Sequence, residues 1–515
     1  MSQCPYFLTI LTLTPLVGGI VIACLKQDKE KWARGIGLGF SLLSLASVLW
    51  LWFTHNPAGG LQRIERHVWI PSIGVEYFLG IDGLGLLMVL LTAAVVPFAL
   101  FAPGPREGYP KSHYSLFLFL EAGLFGTFTA LNFFHWFIFW ELSLIPAFFL
   151  IKLWGGPRRS YAATQFFIYT LVGSVAMLLA FQAIFLATGT FDFVELARLG
   201  RSGQLAAALA NRLGWQQGSA AMLIFLGVFL GLAVKVPLVP FHTWLPAAYA
   251  EAPTGTSMVL TGVMSKMGVY GFLRILMPLF PEQMRMVLTP LLWLTVITIV
   301  YAAWAAMAQT DLKRTIAYSS INHLGYCMLG IFAAMKFTIG EAQWTTEKAA
   351  ALNGVLLQMF NHGLSASALF CFIGLLERRA GGMRGLNDFG GLRKVTPVFC
   401  GLMGIAIFSS LGLPGLNGFV GEFLIFKGSF SLASWAAAGS VLGLLLTAIF
   451  LLIILQRVFH GPLNQKWTGL ADLSAGERWM VSPVIALMFL IGIYPQLIIK
   501  MTNPTVLQMV SHLTH

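Results

Sequence analysis

Two lysines, Lys235 and Lys266, lie in the run from 232 to 274, LAVKVPLVPFHTWLPAAYAEAPTGTSMVLTGVMSKMGVYGFLR, with apolar residues on both sides of each. An ammonium group at the centre of a bilayer costs roughly 2.5 to 3.5 kcal/mol on insertion scales, so two of them in successive helices ask for a task. Pro237 and Pro240 follow the first lysine, and a proline cannot donate to the carbonyl four residues back. The carbonyls of Ala233 and Val236 are therefore expected to be free beside Lys235, which is tolerated at membrane depth only where backbone lines a wet cavity. Glu141, in FHWFIFWELSLIPAFFLIKLWGG, and Glu422, in SLGLPGLNGFVGEF, are carboxylates in equally apolar settings. Burial and a nearby lysine pull the charge of Glu141 in opposite directions, which makes its protonation switchable. His323, in AYSSINHLGYCMLG, and His362, in LQMFNHGLSASALF, add imidazoles that take and release a proton near neutral pH. Together these side chains read as an ion or proton path.

Each residue also has a plainer reading. The lysines could snorkel or form static ion pairs, Glu141 could be a carboxyl bonded to a neighbouring helix, and a lone buried histidine is most often a satisfied core residue. Lys266 stands between Met264 and Met267, about ten residues from either end of its apolar run, too deep for easy snorkelling. Glu422 has Lys427 one turn and a little further on, either as a partner or as a snorkelling cation. Lys152 lies beside Arg158 and Arg159 at a helix end, where topology is its natural role. His135 and His242 lie at helix ends and read as interfacial. No two of these histidines have metal-ligand spacing, so no metal is expected.

The elements that must position these groups are transmembrane helices. The chain of 515 residues is 57% hydrophobic and only 10% charged, against about 25% charged residues in a soluble domain. Apolar runs of spanning length lie near 5–25, 36–54, 78–102, 114–133, 134–153, 161–188, 219–240, 256–280, 287–308, 314–335, 349–376, 396–430 (interrupted), 434–458 and 480–501. This predicts an all-α polytopic membrane protein of about fourteen transmembrane helices, a single membrane domain over 1–515. The first apolar run lacks a charged leader and a clear cleavage site and is expected to be retained. The seventh run, LAVKVPLVPF, and the twelfth, broken by Pro414, Gly415 and Gly418, interrupt at matching places. Paired breaks of this kind are the signature of inverted repeats, here two five-helix units at about 114–280 and 287–458, after helices 1–3 at 1–113.

The net charge of +12 does not point to nucleic acid, because the basic residues sit in short clusters between apolar runs. Loops after odd-numbered helices hold most of them, which places both termini away from the cytoplasm. The five cysteines show no iron–sulfur spacing, no P-loop is present, and Gly35, Gly37 and Gly39 follow no strand, so neither a redox centre nor a nucleotide site is expected in this chain. The stretch 241–256 reads as a connection on the membrane face with a short helix ended by Pro253, and 189–218 as a polar insertion with a surface helix.

WELSLIP, VKVPLVPFHTWLPAAYAEAP, SKMGVYG, AQTDLKRTIAYSSINHLGY, NHGLSASALF and GLPGLNGFVGEF resemble the antiporter-like membrane subunits of proton-pumping NADH:quinone oxidoreductase, respiratory complex I, over nearly the whole chain. The M-type members are the most similar, since Glu422 stands where the L and N types usually carry lysine. The resemblance implies a fourteen-helix fold with two inverted repeats. It makes Glu141 the fifth-helix glutamate, Lys235 the broken-helix lysine, Lys266 the central lysine, His323 and His362 the connecting histidines and Glu422 the terminal carboxylate of a proton relay. It further implies a non-redox subunit of a translocase, without a cofactor of its own. Flavin, iron–sulfur clusters and quinone are then expected in partner subunits, with neighbouring antiporter-like subunits in a bacterial inner or equivalent membrane. A subunit of a multisubunit cation/proton antiporter, or of a membrane-bound hydrogenase or carbon-concentrating complex, is the alternative. Lys152 and 189–218 match no motif.

Overall fold

In the computed structural model, which describes residues 5–104, 109–338 and 342–514, the apolar runs become helices, some of which start at a polar capping side chain. The chain opens with α1 (Phe7–Ala23), α2 (Ala33–Thr54) and a hairpin of β1 (Gln62–Ile70) and β2 (Val75–Ile81). Next come α3 (Gly83–Phe101), α4 (Pro110–Thr129), α5 (Phe133–Trp154) and α6 (Arg159–Thr188). The short α7 (Phe193–Arg201) and α8 (Gln204–Leu213) precede α9 (Gln217–Lys235), α10 (Trp244–Glu251), α11 (Thr254–Leu279) and α12 (Pro281–Met286). The second half holds α13 (Leu288–Met307), α14 (Leu312–Ala334), α15 (Ala342–Arg379), α16 (Pro397–Leu411), α17 (Asn417–Leu432) and α18 (Ser434–Phe459). It closes with α19 (Ala475–Ile493) and α20 (Gln496–Thr514). Among the described residues 10 helices are long and apolar enough to cross a membrane, and α1 and α16 are shorter apolar ones. The apolar runs fold largely as helix, the third beginning in β2, the twelfth forming the broken pair α16 and α17 and the fourteenth divided between α19 and α20.

Side-chain caps mark the starts of three of the inner helices. Asp82 Oδ1 accepts from the Gly85 N–H (3.0 Å) at α3, Asn132 Oδ1 from Phe134 N–H (3.0 Å) at α5 and Asp311 Oδ1 from Arg314 N–H (3.1 Å) at α14. Asn132 thus separates α4 from α5, where the sequence offers little other punctuation. Glu65 of the hairpin accepts from the Leu8 N–H (2.6 Å), fastening the first turn of α1.

Two backbone crossings of one kind frame the halves. Asn132 forms an antiparallel bridge with Asp192, the Phe133 N–H donating to Phe191 O (2.9 Å) and Phe193 N–H to Leu131 O (2.9 Å). Asp311 does the same with Gly385, Leu312 N–H donating to Arg384 O (2.9 Å) and Leu386 N–H to Thr310 O (2.7 Å). Each bridge joins the cap of a repeat's second helix to the chain just after its third. An odd number of crossings separates α5 from α14, so the bridges lie on opposite faces, as inverted repeats require. The Lys- and Arg-rich loops share one face, the basic face. The start of α1, the hairpin and α20 share the other, so the two described ends of the chain lie on the same side.

The structure corrects the sequence at four places. The last crossing is α19, ending at Ile493, not a helix over 480–501; Pro495 ends it, and α20 turns to run across the hairpin face. Gly83 N–H donates to Thr505 Oγ1 (3.0 Å), Asn353 Nδ2 to Asn503 Oδ1 (2.8 Å) and Arg285 to the Leu513 carbonyl, so this helix is strapped to α3, α15 and α12. The helix α10 does not lie on the membrane face; Trp244, Leu245, Ala248 and Tyr249 are buried where it packs on α6 and α14. At the break after Lys235 the Ala233 carbonyl is not free, because Leu238 N–H donates to it (3.0 Å), while the Val239 N–H finds Thr298 Oγ1 (3.1 Å). The hairpin at 62–81 was not anticipated at all.

Candidate functional site

The helices α11 and α15 lie at the centre of the bundle, enclosed along most or all of their apolar length. On α11, Leu260–Met264 winds as a π turn, with Ser265 N–H reaching back to Leu260 O (3.1 Å). Such a bulge releases a carbonyl from the regular ladder. The freed Thr261 carbonyl accepts from Lys266 Nζ, which also donates to His362 Nδ1 (2.8 Å) and lies 3.4 Å from Ser265 Oγ. Lys266 has no exposed surface. Its charge is therefore held by a carbonyl, a hydroxyl and an imidazole, with no carboxylate in direct contact.

The close approach of α15 to this turn depends on glycine. A Cβ on Gly262 would meet Ser367 Oγ at 2.3 Å, and one on Gly363 would meet Gly262 O at 2.7 Å. With both bare, α15 brings His362 against Lys266 and, at 5.1 Å between ring centroids, against His323 of α14. His323 Nδ1 lies 3.0 Å from Glu422 Oε1, and Gln358 Nε2 donates to the same oxygen (3.1 Å). Glu422 sits one turn into α17, just past the break. Asn417 holds that break: Asn361 Nδ2 donates to its carbonyl (2.6 Å), and its Oδ1 accepts from Ser409 Oγ (2.6 Å). Lys266, His362, His323 and Glu422, chosen from four separate runs of sequence, thus form one unbroken row.

Glu141 and Lys235 form a second cluster. Lys235, 2% exposed at the end of α9, lies over the Trp140 ring with Nζ 4.9 Å from the centroid. Glu141 and Lys235 act on each other electrostatically, and Ser174 lies within hydrogen-bonding reach of the Glu141 carboxyl while also accepting from Trp140 Nε1 (3.0 Å). Among the described residues no hydrogen bond or ion pair joins Lys235 to Lys266. Between them α9 packs closely on Gly268 of α11, and Ser143 Oγ donates to Met267 Sδ (3.7 Å). Lys427 does not pair with Glu422; its Nζ lies 3.2 Å from Glu347. Lys152 rests on the Phe148 ring at 5.4 Å, His135 stacks on Tyr77 at 4.6 Å, and His242 packs edge-on to Tyr301 at 5.1 Å.

Several groups escaped sequence reading. On the basic face a cavity of about 370 Å³ is lined by Glu251, Lys313, Glu377 and Arg384. Lys313 Nζ lies 2.7 Å from Glu377, and Arg384 reaches Asp311 (2.7 Å) and Glu251 (3.2 Å). Burial alone would lower the Arg384 proton affinity, but these carboxylates outweigh it and raise it. From the cavity floor at Ala252, polar groups descend toward the bundle centre. Ser257 Oγ donates to Ala252 O (3.2 Å) and Tyr249 O (2.8 Å), Tyr249 OH donates to Leu260 O (2.9 Å), and Tyr249 is within reach of Ser265, the neighbour of Lys266. Glu121 of α4, wholly buried, accepts from Ser41 Oγ (3.1 Å), and its other oxygen has no protein partner. The rule that singled out Glu141, an acid inside a phenylalanine-rich run, applies equally to Glu121. Among the described residues no three His, Cys, Asp or Glu side chains gather as metal ligands.

Comparison with known proteins places this geometry. The family described as NADH:quinone oxidoreductase/Mrp antiporter, TM, matches residues 130–449. Subunit M of the NADH-quinone oxidoreductase of Rhodobacter capsulatus is 36% identical over 513 residues, covering 98% of this chain and 96% of that one. Subunit M of the F(420)H(2) dehydrogenase of Methanosarcina mazei is 34% identical over 503 residues, with 96% of each covered. Among solved structures, a chain of respiratory complex I from Thermus thermophilus superposes with a TM-score of 0.84 at 29% identity, over 98% of this chain and 99% of that one. A match over more than half the chain, with relatives above 30% identity along nearly its full length, establishes kinship: the chain belongs to the family of NADH:quinone oxidoreductase/Mrp antiporter transmembrane subunits.

Proposed function

We propose that this chain moves protons across the membrane as a subunit of a redox-driven quinone oxidoreductase, and that Lys266, His362, His323 and Glu422 carry them. The observation behind this reading is the continuous row at 2.8, 5.1 and 3.0 Å. A lysine and a glutamate at the two ends of a histidine pair need only one proton hop per link, and imidazole can donate from one nitrogen while it accepts at the other. Lys266 donates to His362 Nδ1; His362 passes a proton from Nε2 toward His323, and His323 Nδ1 gives one to Glu422. His323 Nε2, Gln358 Oε1 and Asn361 Oδ1, all buried and without a protein partner, suit ordered water along this row.

Protons would be taken up on the basic face through the cavity lined by Glu377, Lys313 and Arg384, and reach Lys266 by Ser257, Tyr249 and Ser265. The Glu141–Lys235 cluster serves as the trigger. When a neighbouring subunit changes the charge at Glu141, the ammonium of Lys235 becomes unbalanced, and its field in a low-dielectric interior drives the Lys266 proton along the row. Electron transfer would take place in partner subunits that hold flavin, iron–sulfur clusters and quinone, this chain contributing no redox group. Two buried lysines together cost on the order of 5 to 7 kcal/mol, comparable with the whole stability of a small domain, which a passive scaffold would have no reason to carry.

The test replaces Lys235 with alanine in the assembled complex and measures protons moved per electron. The expected result is electron transfer with little proton movement attributable to this subunit. Pumping at the wild-type ratio would remove the trigger from the scheme.

A further inference from the structure

We infer that the crevice between α2, α3, α15, α19 and α20 is a binding site for an anionic phospholipid, with the headgroup at Arg34 and Arg478 and an acyl chain inside. The crevice holds about 590 Å³ and is lined almost wholly by hydrocarbon, among it Leu45, Trp52, Phe98, Phe360, Leu364 and Met480. A single lipid hydrocarbon chain is narrow enough to enter this space, and the apolar lining matches it.

Charge at the mouth selects the headgroup. Arg34, in the first turn of α2, donates from Nη2 to Phe101 O (2.8 Å), and Phe101 is a wall residue. Arg478 precedes the wall residue Trp479 and donates from Nε to Leu473 O (2.9 Å). Both arginines are exposed, one on α2 and one on α19, two of the helices that wall the crevice, and both keep guanidinium N–H groups for a phosphate. The nearby Glu477 does not cancel them, since it is tied to Arg379 at 2.5 Å. Trp32 and Trp479, 60% and 79% exposed, neighbour the two arginines in sequence, and exposed indole rings settle at the membrane interface. Basic pockets between helices on such a face hold anionic lipid.

The inner wall gives the lipid a consequence. Phe360 and Leu364 belong to α15 and bracket His362, so a chain in the crevice backs the helix that carries the relay. This part rests on the proposed relay; the binding site does not.

The experiment uses the purified assembled complex and native mass spectrometry. Wild type is expected to retain a phosphatidylglycerol-sized adduct through delipidation. Arg34→Gln with Arg478→Gln should lower retention by roughly tenfold or more. Ala94→Phe, which fills the crevice and leaves the arginines intact, should lose the adduct too. Loss in the double variant alone would mean a surface headgroup contact and overturn the crevice site, as would equal retention of phosphatidylcholine, protection by inorganic phosphate, or cross-linking of the crevice to another subunit. Proton leak, restored by phosphatidylglycerol vesicles in delipidated wild type, tests the backing of α15 separately from the adduct.

Discussion

Lys266 donates to three groups that none of its sequence neighbours announces, and its replacement separates charge from bulk. Lys266→Met keeps the length of the side chain but leaves His362 Nδ1 without its donor, while the Thr261 carbonyl keeps only the Ser265 hydroxyl (3.1 Å). Proton translocation is expected to fall on the order of tenfold to hundredfold, the usual reach of a lost proton-transfer group, while quinone reduction in the complex is read in parallel. Glu422→Gln is expected to act in the same direction, because the amide can keep the contacts to Gln358 and His323 but cannot carry the proton onward. Lys427→Ala gives the contrast: its pair with Glu347 is half-exposed and contributes roughly 0 to 1 kcal/mol, so pumping should stay within error of wild type. A large loss there would mean that Lys427 takes part in the proton path and that the row does not end at Glu422 alone. The four residues of the row were legible in the sequence as buried ionisable groups, because a charge or imidazole in an apolar run stands out. Gln358, Asn361 and Tyr249 were not, since uncharged polar side chains are common in helices and only the fold shows which ones meet.

At the scale of elements, α11 does most of the positioning. Its first π turn frees the carbonyl that holds Lys266, and its second, Phe272–Leu276, carries Arg274 to Asp82 at 2.5 Å. Asp82 lies at the head of α3, outside the crossing segment. Burial pushes its carboxyl upward, but the Arg274 guanidinium and the Gly85 N–H prevail and hold it below the usual 3.8. A lowered carboxylate gives stability that is present above the unfolded value and lost as pH falls through the folded one. The complex should therefore lose thermal stability as pH drops below 3.8, and Asp82→Asn should blunt that loss while destabilising the neutral protein by roughly 3 to 5 kcal/mol, the effect of breaking a buried pair. An unchanged acid profile in Asp82→Asn would count against this linkage. Helix starts were readable from Asp82, Asn132 and Asp311, each a short polar residue ahead of an apolar run. The hairpin was not, because QRIERHVWI alternates only loosely and its bulged register is pinned from outside by Thr9, which bonds Glu65, and by Asp192, which pairs with Arg66.

For the whole molecule, the alternation of basic loops foretold that both ends lie on one side, and the matching breaks foretold the inverted halves. The paired bridges at Asn132 and Asp311 could not be foreseen, since each joins segments separated by a whole helix and leaves no local mark. The end of the chain was misjudged for a related reason: YPQLIIKM is apolar enough to extend a crossing helix, and only Pro495 marks the turn. A variant ending at Tyr494 is expected to insert all its crossing helices yet melt at lower temperature and co-purify with less of the remaining complex, which thermal unfolding and subunit yield would check.

That final strap can settle only after the loops it ties have arrived. The partners of Thr505, Asn503 and Leu513 are Gly83, Asn353 and Arg285, drawn from the first third of the chain, its second half and the joint between the halves. Synthesis delivers the strap after every segment it ties. Its docking therefore acts as a latch on the order of assembly, closing over a correctly inserted molecule and finding no seat on one whose halves have not yet met.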